Sequence, residues 1–218
     1  VGRKTSAKYV IATKFIGGLE VRNFAGQRLK ITVRDATTNE DLTPSVDRTL
    51  RTSRPSLWQY LFGTKVQISA HRIEGILLRP KVIITIEVTS DTTDDVGIGY
   101  ISIGSWITLG IEEGMSGTIY GAKADLVNFT FREDTPEGGF IQVPRGSTTS
   151  LTLPVVIKPG DANRMWAAIQ QLKDTPVSVY ASKQEKFRYL STVGFVSSDL
   201  APENLAVTKA NIFVKGVV

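Results

Sequence analysis

Apolar and polar residues alternate at period two along most of the chain, the spacing of strands that bury one face. The clearest run is Lys81 to Thr89, where Val82, Ile84, Ile86 and Val88 share a side. Leu29, Ile31 and Val33 do the same within Arg28 to Arg34, as do Leu151, Leu153, Val155 and Ile157 within Ser150 to Ile157. The same reading predicts strands over Tyr9 to Phe15, Leu19 to Phe24, Val66 to Ala70, Gly117 to Tyr120, Leu126 to Phe131, Phe140 to Val143, Val177 to Ala181, Tyr189 to Val196 and Val207 to Val214. Val96 to Ile111 is uncharged, and its period predicts a buried hairpin: Ile98 to Ile103, a turn at Gly104-Ser105, then Trp106 to Ile111. With four glycines in 16 residues it is too short and too broken to span a bilayer as a helix, which takes about 20 apolar residues.

Helical spacing is scarce. Met165, Trp166, Ile169 and Leu172 form an apolar stripe over Asp161 to Lys173. Pro159-Gly160 ends the preceding strand, Asp161 is placed to accept from the first-turn amides, and Pro176 closes the segment. A shorter helix is expected from Pro55 to Gly63, carrying Leu57, Trp58 and Leu61. Asp35 to Arg54 reads as a polar loop of twenty residues, a length that usually serves a partner or a function. The expected fold is therefore mainly β, an antiparallel sandwich or barrel with one short helix near 161–173. Texture and charge change at Ser90 to Asp95. The chain divides there into a basic β-rich part, 1–90, and a β-rich part with the helix, 91–218, unless both form a single domain.

Composition agrees with the pattern. Among 218 residues there are 23 Thr, 21 Val and 19 Ile, side chains that suit a pleated, half-buried surface. The absence of Cys and the single histidine, His71, remove thiol catalysis, disulfide frameworks and multi-histidine metal sites. The first fifteen residues carry cations throughout and no apolar core, so no secretory signal is expected there, and Val1 reads as following an excised initiator methionine.

The net charge of +5 is unevenly spread. Residues 1–90 hold 15 Lys/Arg against 7 Asp/Glu, residues 91–142 hold 2 against 9, and residues 143–218 hold 9 against 5. A basic start of this density suits phosphate or an acidic protein surface. Tyr9, Phe15 and Phe24 stand at strand spacing among apolar residues, however, and not as stacking platforms beside the cations. Basic and acidic blocks on one chain also suit head-to-tail contact between copies.

No catalytic constellation emerges. Glu112 and Glu113 are adjacent, so on a strand they point to opposite faces and cannot flank one substrate. Asp91, Asp94 and Asp95 lack the alternating ligands and closing Glu of a calcium loop. Gly104-Ser105-Trp106 lacks the second glycine of a nucleophile elbow, and no serine or acid is tied to His71 by spacing, so His71 is expected to be a solvated or core-satisfied residue. Gly17-Gly18 reads as a hairpin turn. Trp106 and Trp166 are expected in the core, while Trp58, after the polar loop and near Tyr60 and Phe62, is a candidate partner anchor.

In its last third the chain resembles bacteriophage tail and baseplate structural proteins, through Trp166-Ala-Ala-Ile-Gln-Gln-Leu172, Thr175-Pro-Val-Ser-Val-Tyr180, Tyr189-Leu-Ser-Thr-Val-Gly-Phe195 and Ile212-Phe-Val-Lys-Gly-Val-Val218. The resemblance implies a β-sandwich or barrel with a small helix, a subunit made in the host cytoplasm and carried in the virion, no enzyme activity and no cofactor or metal. It implies as partners other copies of the chain and other tail or baseplate proteins, with no membrane, assembled as a ring. A nucleic-acid-binding β-domain using the basic start is the alternative. Arms for crossing to neighbours are expected at Val1 to Lys8 and Asp35 to Arg54. The expected partner contacts are Arg3, Lys4, Lys8, Arg48, Arg51, Arg54, Trp58, Asp91, Asp94, Asp95, Glu112 and Glu113. The apolar end Phe213 to Val218 must close its own sheet or dock on a neighbour.

Overall fold

A computed structural model of the chain describes residues 5–50, 68–91, 95–109, 118–134 and 138–217. The fold is mainly β, built from antiparallel sheets, one of them curled as a half-barrel, with one α-helix among the described residues. The chain divides into two compact units, Val1–Trp106 and Ile107–Val218.

In the first unit, the apolar alternation seen at Lys81 to Thr89 becomes the inner face of a four-stranded sheet. Its strands are β1 (Thr5–Thr13), β3 (Arg28–Asp35), β4 (Val46–Thr49) and β6 (Val82–Ser90), in the order β1-β6-β3-β4. Ile31 lies opposite Ile86 and Val33 opposite Ile84, so both strands turn the same apolar side inward. The second sheet holds β2 (Gly18–Ala25), β5 (Ala70–Glu74) and β7 (Gly97–Gly104), with β2 central. Leu19, Val21 and Ile73 from that sheet share one core with the inner residues of the first, the arrangement of a sandwich. β7 lies beyond the change of charge sign at Ser90 to Asp95, yet it pairs with β2 along Gly18↔Gly104 to Ala25↔Gly97, so the first unit runs on to Trp106.

Three expectations are corrected here. The polar stretch 35–50 is no loop but the turn and return strand of a hairpin. Asn39 takes φ 59°, its N–H donates to the Asp35 carbonyl at 2.9 Å, and the Thr37 N–H donates to Asp35 Oδ1 at 2.7 Å. β4 then pairs with β3, which satisfies a polar strand's backbone without any apolar alternation. The expected hairpin over Val96 to Ile111 does not form among the described residues, because β7 spends its pairing on β2 and 105–109 follow without a strand. Gly18 is no turn either: it lies in β2 under the Trp106 indole, which occupies the space a Cβ would need. The strand read over Val66 to Ala70 is described only from Ile68, and the pairing segment there is Ala70–Glu74. The short helix expected from Pro55 lies outside the described residues.

In the second unit five strands run in the order β12-β13-β14-β11-β8: β8 (Lys123–Asn128), β11 (Ser147–Ile157), β12 (Val177–Tyr180), β13 (Ser191–Pro202) and β14 (Thr208–Gly216). The apolar end of the chain closes its own sheet, with β14 between β13 and β11. Helix α1 (Pro159–Leu172) packs on this unit through Met165 and Ile169, which join Leu151, Leu153, Val155, Ile157, Ile212 and Val214 in the core. Two helix expectations change. Lys158, not Asp161, is the N-cap residue; it makes no side-chain capping bond, and Pro159 begins the helix, where its missing N–H costs nothing. Trp166 is 43% exposed: its stripe neighbours Met165 and Ile169 fill the space against the sheet, and position 166 rotates past the contact. The segment read as Gly117 to Tyr120 contributes an isolated bridge, Thr118 to Val155.

Candidate functional site

The strand expected at Leu126 to Phe131 divides into β8 and β9 (Phe131–Asp134), and β9 pairs with β10 (Phe140–Val143). Registers show how the pieces relate. β8 and β11 end their pairing at Asn128↔Ser147, and β9 and β10 begin at Phe131↔Val143. Two residues on the outgoing strand, Phe129 and Thr130, therefore face three on the return, Pro144, Arg145 and Gly146. One extra residue on one strand is a β-bulge, the place where a proline, which cannot donate to a ladder, is tolerated. Across the bulge the Phe129 N–H donates to the Gly146 carbonyl at 3.2 Å and the Arg145 N–H to Thr130 Oγ1 at 3.4 Å. The four strands are thus one long hairpin, and its outer half is an arm of two strands.

From Asn128 to Asp134 the arm runs about 20 Å at roughly 3.3 Å per residue. Phe131, Ile141 and Val143 lie on one side with Glu133, since Val143 is opposite Phe131 and Ile141 opposite Glu133. Phe140 lies on the other side, where the Arg132 guanidinium stands 4.2 Å from its ring centre. Phe131, Phe140, Ile141 and Val143 are all about half exposed, and at the base Leu126 and Phe129 are more than half exposed. The core-facing row that holds Ala124 opposite Leu151 continues to Leu126, where no core residue covers it. On one side Phe131, Ile141 and Val143 expose on the order of 300 Å² of largely apolar surface, and Phe140 on the other side with Leu126 and Phe129 at the base expose a similar area again.

A charged cluster lies on the first unit's three-stranded sheet. Glu20, only 3% exposed, pairs with Arg22 at 2.7 Å, and Arg72 pairs with Glu74 at 2.9 Å. Arg72 also stacks over the Trp106 ring at 5.7 Å. Burial, with the Glu20 charge nearby, raises the Tyr100 phenol above its ordinary value of 10.0. Each acid faces a cation two residues away on its own strand, so the group presents no unbalanced acid or base.

All six described arginines of the first unit have a partner. Arg22, Arg28, Arg34, Arg72 and Arg79 pair with Glu20, Asp47, Asp41, Glu74 and Asp35, and Arg48 Nη1 donates to His71 Nδ1 at 3.0 Å. A guanidinium only donates, so Nδ1 is the acceptor and that nitrogen carries no proton in this contact. The Arg28–Asp47 bond raises the arginine's pKa and lowers the carboxylate's.

Of the residues expected to contact partners, Lys8 is exposed on β1 opposite Glu87, Arg48 turns to His71, and Asp91 and Asp95 are exposed near the end of β6 and before β7. Arg3, Lys4, Arg51, Arg54, Trp58, Asp94, Glu112 and Glu113 lie outside the described residues, as does the first half of the expected arm at Val1 to Lys8; its second half, from Thr5, is paired with β6 as part of β1. The charge blocks also change on folding. The unit Val1–Trp106 holds 15 Lys/Arg against 10 Asp/Glu, and the unit Ile107–Val218 holds 11 against 11, because the boundary cuts through the acidic block. Among the described residues, no three His, Asp or Glu side chains come together as a metal site, and no helix is long and apolar enough to cross a membrane.

The arm was not among the sequence candidates. Its signals are present: two short apolar strands around Pro136-Glu137-Gly138-Gly139, with a proline after the second. A groove on the second unit is lined by Ala162, Asn163, Trp166, Leu200, Pro202 and Thr208. No family model, curated protein or solved structure matches the chain.

Proposed function

We propose that this chain is a structural subunit that assembles through protein–protein contacts into a ring, as a component of a bacteriophage tail or baseplate. The observation that carries the assembly reading is the arm. A two-stranded ribbon is at best marginally stable by itself in water, and this one holds its phenylalanines and aliphatic residues open to solvent. Such a surface gains stability when a partner covers it. The tail or baseplate identity rests on the resemblance in the last third of the chain, and it makes the role of the subunit architectural, without catalysis or cofactor.

The nucleic-acid alternative loses support from the ion pairs. Each described arginine of the basic first unit already meets a carboxylate or His71, and the carboxylates offset much of the positive charge a phosphate would meet. Light scattering on the purified chain, with oligonucleotide titrations at low and high salt, separates the two. The proposal expects a defined multimer and little oligonucleotide binding at any salt. A stable monomer that binds oligonucleotide tightly, with affinity falling steeply as salt rises, overturns it. Antibodies against the chain should label the tails of purified virions; their failure to do so would remove the tail assignment and leave the assembly reading standing.

A further inference from the structure

Resting on the assembly reading above, we infer that the arm of one copy seats on the outer face of β13 and β14 of a second copy of the same chain. Chemical complementarity on this chain identifies the occupant. The seating side of the arm carries Phe131, Ile141 and Val143 with one carboxylate, Glu133. On the five-stranded sheet, Val196, Ile212 and Val214 point to the core, and the opposite face presents Phe195 and Phe213. Lys215 lies directly across from Phe195 and two residues from Phe213, on that same face. The same face also carries Asp199 and Lys209, so an arm side with one acid has, on the same chain, a face with two phenylalanines and a net positive charge.

Phe131, Ile141 and Val143 expose on the order of 300 Å² on the seating side, the apolar centre of a contact whose standard size is about 800 Å² per partner. The two surfaces differ, so the contact is head-to-tail. Repetition of one such contact closes a ring when its rotation divides the circle, and otherwise makes a filament.

The test uses the full chain with one variant on each surface, Ile141→Asp on the arm and Phe213→Asp on the face, each checked for an unchanged circular dichroism spectrum. Wild-type protein should form a multimer by light scattering. Each variant should fall to monomer at the same concentration, a weakening of about 100-fold for the loss of a central contact. Mixing them should restore a dimer and nothing larger, because one retains a working face and the other a working arm. Should Phe213→Asp perturb the fold, Glu133→Lys and Lys215→Glu replace the pair: each weakens assembly, and the double variant recovers it. Multimers formed equally well by both variants would overturn the contact while leaving assembly intact. So would dissociation by Ile141→Asp but not by Phe213→Asp, which would seat the arm elsewhere. A wild-type chain that stays monomeric at all concentrations would overturn the assembly reading and this contact with it.

Discussion

Gly194→Ala should destabilise the second unit by about 2–4 kcal/mol, whereas the same change at Gly160 should stabilise it. At Gly194, β13 passes so close to β14 that an added Cβ falls 2.6 Å from the Lys215 carbonyl carbon and 2.9 Å from Gly216 Cα, and closer still to the Lys215 oxygen. These are backbone atoms, so no rotamer change relieves the clash. The end of the β13–β14 ladder must open, with the pairs Gly194↔Gly216 and Phe195↔Lys215 and the 2.9 Å bond from the Val217 N–H to the Val193 carbonyl. Two or three hydrogen bonds at about 1 kcal/mol each, with some unpacking, amount to roughly 3–4 kcal/mol. The lower entropy of an unfolded alanine returns up to about 1 kcal/mol. Gly160, in the first turn of α1, has nothing within 4 Å of its Cβ position, so only the gain remains, about 0.5–1 kcal/mol. Urea unfolding of the full chain, followed by tryptophan fluorescence and circular dichroism, measures both. A loss below about 1 kcal/mol at Gly194 would refute the claim that backbone contact demands glycine there.

Ile169→Ala should cost about 2–4 kcal/mol and Trp166→Ala less than about 1, although both sit on the same apolar stripe; equal losses in urea unfolding would contradict the packing described for α1. Hydrogen bonding from the Thr37 N–H, helped by the Arg79 charge, lowers the Asp35 pKa from 3.8, so its stabilisation is complete above that value and is lost as pH falls through the folded pKa. Urea midpoints of Asp35→Asn should therefore lie below wild type at pH 7 and converge toward it by pH 2; parallel curves would be the contrary result. Tyr100 has the opposite sign. Its pKa is raised, so its contribution is present below pH 10 and lost as pH rises through the folded value. Thermal unfolding of Tyr100→Phe should accordingly show a shallower alkaline decline than wild type, and an identical decline would argue against burial of the phenol.

Strand after strand was legible because the information is local. Val82, Ile84, Ile86 and Val88 declare their face by spacing alone, and the expected helix differs from α1 by a turn or less at each end. β4 was illegible for the complementary reason. Its residues, Val46–Thr49, carry no apolar alternation, and what makes them a strand is the row of backbone partners on β3. Trp166 shows the limit of a stripe: spacing places it on the right side of the helix, but the width of the contact decides that Met165 and Ile169 are covered and it is not.

Charge behaved similarly. The blocks 1–90 and 91–142 are real in the sequence, yet the fold cuts the acidic one between two units and places arginines of the first against carboxylates of the same unit. The arm is the largest feature that spacing missed. Phe131, Phe140, Ile141 and Val143 look like core residues, because an apolar strand reads the same whether a second layer covers it or not. By itself, then, the sequence determined a mainly antiparallel β fold, the inner face of its clearest strands and the position of the helix, all set by preferences over a few neighbouring residues. Only the tertiary structure decided which strands pair, how the charges are neutralised and which apolar residues remain open to a partner, because each depends on contacts between residues far apart in the chain.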